Sequence, residues 1–305
     1  MNAEIYAQWL RDRGYSVVRT ASSYWHSDSF RVYQAFPYHW LIDPTEPELS
    51  ELFFRHGALA ARYSMQPTSP KGYPSYAVMF ENRNFDLEHL GHRTRKNVRL
   101  GLRNCKVEPT SFQCLVNQGW DLQRDTLDRQ GRSSIANYES WRKGYLLAAN
   151  LPGFEVWGAF VNSHLAAYLV TFPMDDCIFM LDHKSHREFL HLNVNNALTY
   201  EVTQHATTKS GVRSLFYGLE SLDAAEGVAE FKMHMGYQMK PIRQRVALRP
   251  QVEVCANKAS YRALSALSQL LPGNRILAKA KGMLRLVLAE RKSDELRGSG
   301  AEWQR

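Results

Sequence analysis

Apolar positions along this chain switch repeatedly between a spacing of two and a spacing of three to four, which predicts a mixed α/β protein. Residues 3–13 put Ile5, Trp9 and Leu10 on one side of a helix that Gly14 stops. Residues 15–20 and 30–36 are β-rich runs separated by a polar Ser/His loop. In DPTEPELSELFFRHG, Thr45 takes the N-cap, Pro47 the first turn and Gly57 the stop of a short helix. ALAARYSM and SYAVMFE read as strands joined by the turn-rich QPTSPKGYP.

From Asp86 the pattern turns helical through RTRKNVRLGLRNCKV. Arg95, Arg99 and Arg103 recur at i, i+4 and share one stripe, while Val98 and Leu102 on the adjoining face pack inward. Helices follow over residues 117–129 and 140–149, joined by a GRSS loop. FEVWGAFVN and LAAYLVTFP form a strand pair that turns at Asn162-Ser163, and Asp175-Asp176 leads into a third strand, CIFMLDH. HLNVNNALTYEVTQHATTKSG is a helix with Leu198, Val202 and His205 in period and Gly211 closing it. VRSLFYGLE is a strand, GVAEFKMHMGY a short helix and IRQRVALRP a last strand, so the order is β-β-β-α-β-α-β. Beyond Pro250, Ile276, Leu277, Ala280, Met283, Leu284, Val287 and Leu288 make an apolar helical stripe, with Lys279, Arg285, Arg291 and Lys292 mainly off it. That helix either docks on the body or a partner or, as the sharper alternative, lies on a membrane surface through residues 275–292. After Ser293 the polar sequence is expected to fray.

Composition narrows the class. With 305 residues, 44% hydrophobic and 12% aromatic, the chain buries enough apolar surface to fold, and its length suggests two domains. Thirty-eight basic against thirty acidic residues give +8, a field that concentrates phosphates, tRNA or a lipid surface. Cys105, Cys114, Cys177 and Cys255 lie far apart without a CxxC pair, which fits reduced thiols. The N-terminus has no apolar signal core, and no apolar run approaches the roughly 18 to 20 residues that span a bilayer. The expected location is therefore cytoplasmic, with peripheral attachment at the inner membrane through the tail as an addition. GxSxG, HExxH and Walker signatures are absent, so hydrolase, zinc-protease and P-loop readings lack their motifs. Asp182, His183, His186 and His191 invite a metal, but H-x-x-H without a Cys partner fits no strong zinc pattern, and no metal is expected.

The basic helix, the GFEVWGAFVNSHLAAYLVTF hairpin, NNAL at a helix start and EFKMHMGY before a final strand together resemble the GNAT acyltransferase superfamily, and specifically its FemAB-like branch. The resemblance covers roughly residues 87–250. It implies a GNAT-like α/β (α+β) fold, a mixed and mostly antiparallel sheet with flanking helices. The architecture would have two parts, with an abbreviated GNAT-like N-terminal half over residues 1–110 that includes the basic helix, an acyltransferase core over 111–250 and an amphipathic helical tail over 251–305. It further implies direct transfer of an acyl group to an amine without a covalent enzyme intermediate; FemAB-like members move amino acids from aminoacyl-tRNA to peptidoglycan precursors. The expected function is thus N-acyl or aminoacyl transfer to an amine of an envelope or saccharide precursor. The alternative is a degenerate GNAT fold that binds tRNA or an anionic membrane.

Such a reaction needs a partner for the developing oxyanion and a path for the released proton. Phe231-Lys232 matches the Phe-Lys pair that contacts the aminoacyl donor in the FemAB family, which makes Lys232 the oxyanion candidate; Phe231 could equally be a core residue or a ring that stacks on an adenine. Base candidates stand at strand ends: Asp182 and His183, the latter titrating near neutral pH, and Glu220. Tyr217 could protonate a leaving group. Arg95, Arg99 and Arg103 would hold an anionic donor or acceptor. Coenzyme-A-dependent relatives carry a glycine-rich turn before the long helix, where backbone N–H groups cradle pyrophosphate. HKSHREFLHLNVNN has no glycine there, although Asn193 or Asn195 could cap the helix. The donor is left as acyl-CoA, acyl carrier protein or aminoacyl-tRNA.

Overall fold

The computed structural model describes residues 2–27, 31–131, 137–220, 227–271 and 274–298. Its elements in chain order are α1 (Ala3–Asp12), β1 (Ser16–Arg19), β2 (Tyr24–Ser27), β3 (Val32–Phe36), α2 (Glu46–Ser50), β4 (Ala60–Met65), β5 (Tyr73–Phe80), α3 (His92–Asn104), β6 (Lys106–Thr110), α4 (Phe112–Arg129) and α5 (Tyr138–Ala149). The second half supplies β7 (Glu155–Val161), β8 (His164–Met174), β9 (Cys177–Ser185), α6 (Val194–Thr208), β10 (Ser214–Leu219), α7 (Val228–His234), β11 (Gln238–Leu248), α8 (Pro250–Cys255), α9 (Lys258–Leu270) and α10 (Arg275–Gly298). This is the mixed α/β class the periodicity predicted, with mostly antiparallel pairing and flanking helices.

Two compact units divide the chain: Met1–Arg13 with Ala77–Lys240, and Gly14–Tyr76 with Pro241–Arg305. Contacts far apart in sequence build each one. In the first unit, α1 packs on α5 and Trp9 Nε1 donates to the Gly144 carbonyl at 2.8 Å. The sheet order here is β5-β10-β9-β8-β7-β6, and only β9 and β10 run parallel. The β7-β8 hairpin turns where expected, with Asn162 and Ser163 both at positive φ (48° and 67°), the geometry of a tight hairpin turn. Helix α6 covers one face and buries Val194, Ala197, Leu198 and Val202. Helix α3 lies against it so closely that a Cβ on Gly101 would stand 2.5 Å from the Asn193 carbonyl oxygen.

The second unit orders its strands β1-β2-β3-β4-β11, with β3 and β4 the parallel pair. Three antiparallel strands, a helix and a strand parallel to the third therefore occur here as in the first unit, in shorter form. Thr45 caps α2 through a reciprocal box with Glu48, as its position in the sequence predicted. Glu48 is held at about 2: burial pushes its carboxyl up, but backbone donors at Thr45 and Ser22 outweigh it. Trp25, Tyr33, Leu49, Leu52, Ala61 and Tyr63 form the core beneath that helix.

Several local expectations are corrected. Helix α3 stops at Asn104, and Lys106–Thr110 form strand β6 on β7, so Lys106 and Val107 are not helical. The strand over residues 30–36 starts at Val32, residue 30 lying outside the described set. Most of the GRSS loop is also outside the described residues. Helix α10 continues to Gly298 rather than fraying after Ser293. The tail docks within the second unit: Leu284, Leu286 and Val287 are buried, Gly72 N–H donates to Glu290 at 2.7 Å and Arg291 donates to the Ala256 carbonyl at 2.6 Å. Among the described residues no helix is long and apolar enough to cross a membrane.

Candidate active site

In the first unit the parallel strands β9 and β10 pair at only three positions, Cys177 with Ser214, Ile178 with Leu215 and Phe179 with Phe216. Both strands bulge just beyond. On β9 the extra residue is Leu181, between the rungs Met180–Thr171 and Asp182–Val170. On β10 it is Tyr217, between Phe216–Met79 and Gly218–Val78. A bulge takes a residue out of the ladder and re-aims its neighbours, which frees backbone groups at a place where the sheet opens. Gly218 stands at φ +133°, a backbone conformation that side-chain-bearing residues rarely adopt.

The freed Tyr217 carbonyl accepts a hydrogen bond from Lys232 Nζ at 3.2 Å, and the ammonium lies 4.5 Å from the centre of the Tyr217 ring. Lys232 comes from α7, whose Phe231 ring is 6.5 Å from the imidazole of His183. No Asp or Glu among the described residues pairs with Lys232, and burial lowers its pKa to about 8. Two of its three donors are therefore uncommitted within the described residues.

His183 is enclosed on both ring nitrogens. Asn195 donates its amide N–H to Ser185 Oγ at 3.1 Å, which leaves its Oδ1 to accept from His183 Nε2 at 3.2 Å. Nδ1 is then the bare nitrogen, and it accepts the Tyr217 hydroxyl at 2.5 Å. Burial and the nearby charge of Lys184 push His183 down to about 4, so it is neutral at pH 7 and does not titrate near neutrality as the sequence suggested. Burial also raises the Tyr217 hydroxyl, which makes it a donor to His183 rather than an acid in exchange with solvent. The structure thus joins Lys232, Tyr217, His183 and Asn195 in one hydrogen-bonded set.

Other predicted residues stand elsewhere. Asp182 is on the opposite face of β9 from His183, as the two-residue period of a strand requires. There it accepts from Tyr145, Tyr168 (3.2 Å) and Lys184. Glu220 follows the end of β10, partly buried, just before residues outside the described set. Asn193 takes the N-cap position of α6, in the left-handed region and without a side-chain cap bond, and Asn195 sits inside the helix. Arg95 and Arg99 both turn to Glu88, the latter at 3.7 Å. Arg103 lines a shallow groove of about 690 Å³ with Lys106, Glu108, Phe160, Asn162 and Ser163. Nothing in composition foretold the bulge at Tyr217; Gly218 in FYGLE was its one mark.

No family model matches the chain, and no curated protein does. Solved structures do. A domain described as the C-terminal part (DUF2156) of a lysylphosphatidylglycerol synthetase from Agrobacterium fabrum aligns with TM-score 0.57 at 13% identity, over 89% of this chain and 93% of that one. FemX aligns with TM-score 0.54 at 11% identity, over 88% and 93%. L-PGS from Bacillus licheniformis aligns with TM-score 0.52 at 11% identity, over 95% and 98%. The chain shares their fold. At these identities the likeness speaks for the arrangement of strands and helices, and the chemistry has to be argued from the residues.

Proposed function

We propose that this chain is an N-acyltransferase of the FemAB-like kind, moving an acyl or aminoacyl group to an amine of a cell-envelope or saccharide precursor. The observation that carries the reading is the partly buried Lys232 ammonium, held off a bulged carbonyl without an acid partner among the described residues. The names of the structural neighbours, FemX, L-PGS and a domain described as part of a lysylphosphatidylglycerol synthetase, support aminoacyl transfer as the class.

In the proposed step the acceptor amine attacks the acyl carbonyl, a C–N bond forms, and the C–O or C–S bond to the donor breaks. The proton lost by the amine ends on the departing oxygen or sulfur. Lys232 donates to the oxyanion that develops between these events, a contact that in a water-poor site is worth far more than in bulk solvent. Tyr217 and His183 are positioning residues: His183 fixes the Tyr217 ring, and the Tyr217 carbonyl fixes Lys232. Arg103 along the groove, where Lys106 is paired with Glu108 at 2.5 Å, supplies charge toward an anionic donor. Peripheral contact with the inner membrane belongs to the same proposal and is supported by exposed Leu267, Leu270 and Leu271 at the end of α9, beside basic α10.

The test offers the protein labelled acyl-CoA, acyl carrier protein and aminoacyl-tRNA in turn, with an amine-bearing acceptor. One donor should label the acceptor, and Lys232→Ala should cut that rate by about 10²-fold or more with the fold retained. Salt-sensitive tRNA binding without transfer from any donor would overturn the reading in favour of a binding module.

A further inference from the structure

The second unit carries a buried charge of its own. Arg62 on β4 is the last rung of the three-position parallel pairing with β3, opposite Gln34, which is in turn opposite His26 on β2. Cα partners in register share a face, so His26, Gln34 and Arg62 form a polar row on one side of the sheet. The other side is apolar, with Ala61 and Tyr63 in the core.

Arg62 has five N–H donors. Its Nε donates to Gln244 Oε1 at 2.9 Å, and Nη2 donates to the same oxygen. Gln244 is fully enclosed and cannot turn, because its amide N–H is committed to Ser75 Oγ at 2.9 Å. No Asp or Glu among the described residues forms an ion pair with Arg62. Burial lowers its pKa from 12.5, yet the residue keeps some exposure and can be reached from solvent. A guanidinium taken out of water against one neutral amide oxygen is costly, and the protein offers it no anion.

The geometry points to an oxyanion site on this face, where a phosphate or carboxylate group of a ligand bridges the free N–H edge of Arg62. Gln34 and the His26–Tyr38 pair (Nε2 to hydroxyl, 2.9 Å) stand along the same row to receive the remaining oxygens. Arginine suits this task because its planar fork matches both anions with two parallel bonds. The inference stands on the second unit alone and does not need the transfer reading.

The test is thermal unfolding and calorimetry of the full chain with pyrophosphate, with succinate and with chloride at matched ionic strength. A saturable rise in Tm of about 3 °C at tenfold excess over Kd is expected with one of the two oxyanions and not with chloride. The oxyanion that acts identifies the source. Arg62→Gln should raise the Tm of the unliganded protein and abolish the response, whereas Arg55→Gln, at an exposed arginine paired with Glu51, should leave it intact. An unchanged anion response in Arg62→Gln, or a lowered Tm in that variant, would assign Arg62 to clipping β4 to β11 and overturn the site. Should Arg62→Gln fail to fold, the native chain decides: one-to-one oxyanion binding by calorimetry supports the site, and its absence overturns it.

Discussion

Lys232→Met tests whether the lysine is kept against the interest of the fold. Burial lowers this ammonium from an ordinary 10.5 to about 8. At about 1.4 kcal/mol per factor of ten, holding it charged costs ~3 kcal/mol. The side chain is only partly buried, and its bond to the Tyr217 carbonyl and its place over the ring return some of that cost. Methionine keeps the length and apolar stem, so Lys232→Met should stabilise the protein by about 1–2 kcal/mol at pH 7. The sign follows from proton counting. Between about pH 8 and 10.5 the folded chain binds fewer protons at this group than the unfolded chain, so native stability rises with pH across that window. Below pH 8 the penalty is present in full, and above 10.5 it has gone. Urea unfolding of both proteins at pH 7 and pH 10 measures the difference, which should shrink at the higher pH while transfer activity is lost at both. A variant less stable than the native chain at pH 7, with a gap independent of pH, would show that Lys232 is an ordinary structural charge.

Two further outcomes follow from packing. Asp125, buried on α4, accepts from Arg129 at 2.9 Å, from the Arg187 backbone N–H at 2.9 Å and from the Arg187 guanidinium; burial pushes its carboxyl up, but these donors hold it below the ordinary 3.8. Asp125→Ala should cost about 3 kcal/mol in chemical denaturation at pH 7, and because the native carboxylate's contribution is lost as pH falls below the ordinary range, the gap should close in acid. Gly101→Ala should cost about 1–3 kcal/mol by Tm, because the new methyl meets the Asn193 carbonyl oxygen at 2.5 Å and Ala197 Cβ at 3.0 Å, and backbone on a packed helix cannot give way.

Local rules wrote much of the architecture legibly. The Thr45 cap, the Asn162-Ser163 turn and the three-strand run into α6 depend on residues within a few positions of one another, and each formed where the pattern put it. What failed was either a boundary between states of similar propensity or a long-range choice. Cys105-Lys106-Val107 continues the helical spacing of α3, yet pairing with β7 takes Lys106 and Val107 into a strand. Arg243 meets Met65 in register although 178 positions separate them, a pairing that no local pattern announces. At the site, the residue types of Lys232, Tyr217 and His183 were readable, but their roles turned on burial. A histidine suited by its free pKa to act as base is closed on both nitrogens, and a strand's alternation sends Asp182 to the other face.

One device serves both units, with different results. Each contains a single parallel strand pair that holds for three rungs and then parts. In the second unit the parting is closed along the backbone, since Ile42 N–H donates to the Ser64 carbonyl at 2.9 Å, and the charge there, Arg62, is carried by a side chain above the sheet. In the first unit the parting is widened by bulges on both strands, and the released Tyr217 carbonyl is taken by a lysine from the following helix. An opening in the ladder that is filled by backbone can only hold shape, whereas one filled by an ammonium with donors to spare can answer a charge that appears during reaction. The proposed chemistry would therefore sit at β9 and β10, and the proposed anion site at β3 and β4 would hold a charge that is already there.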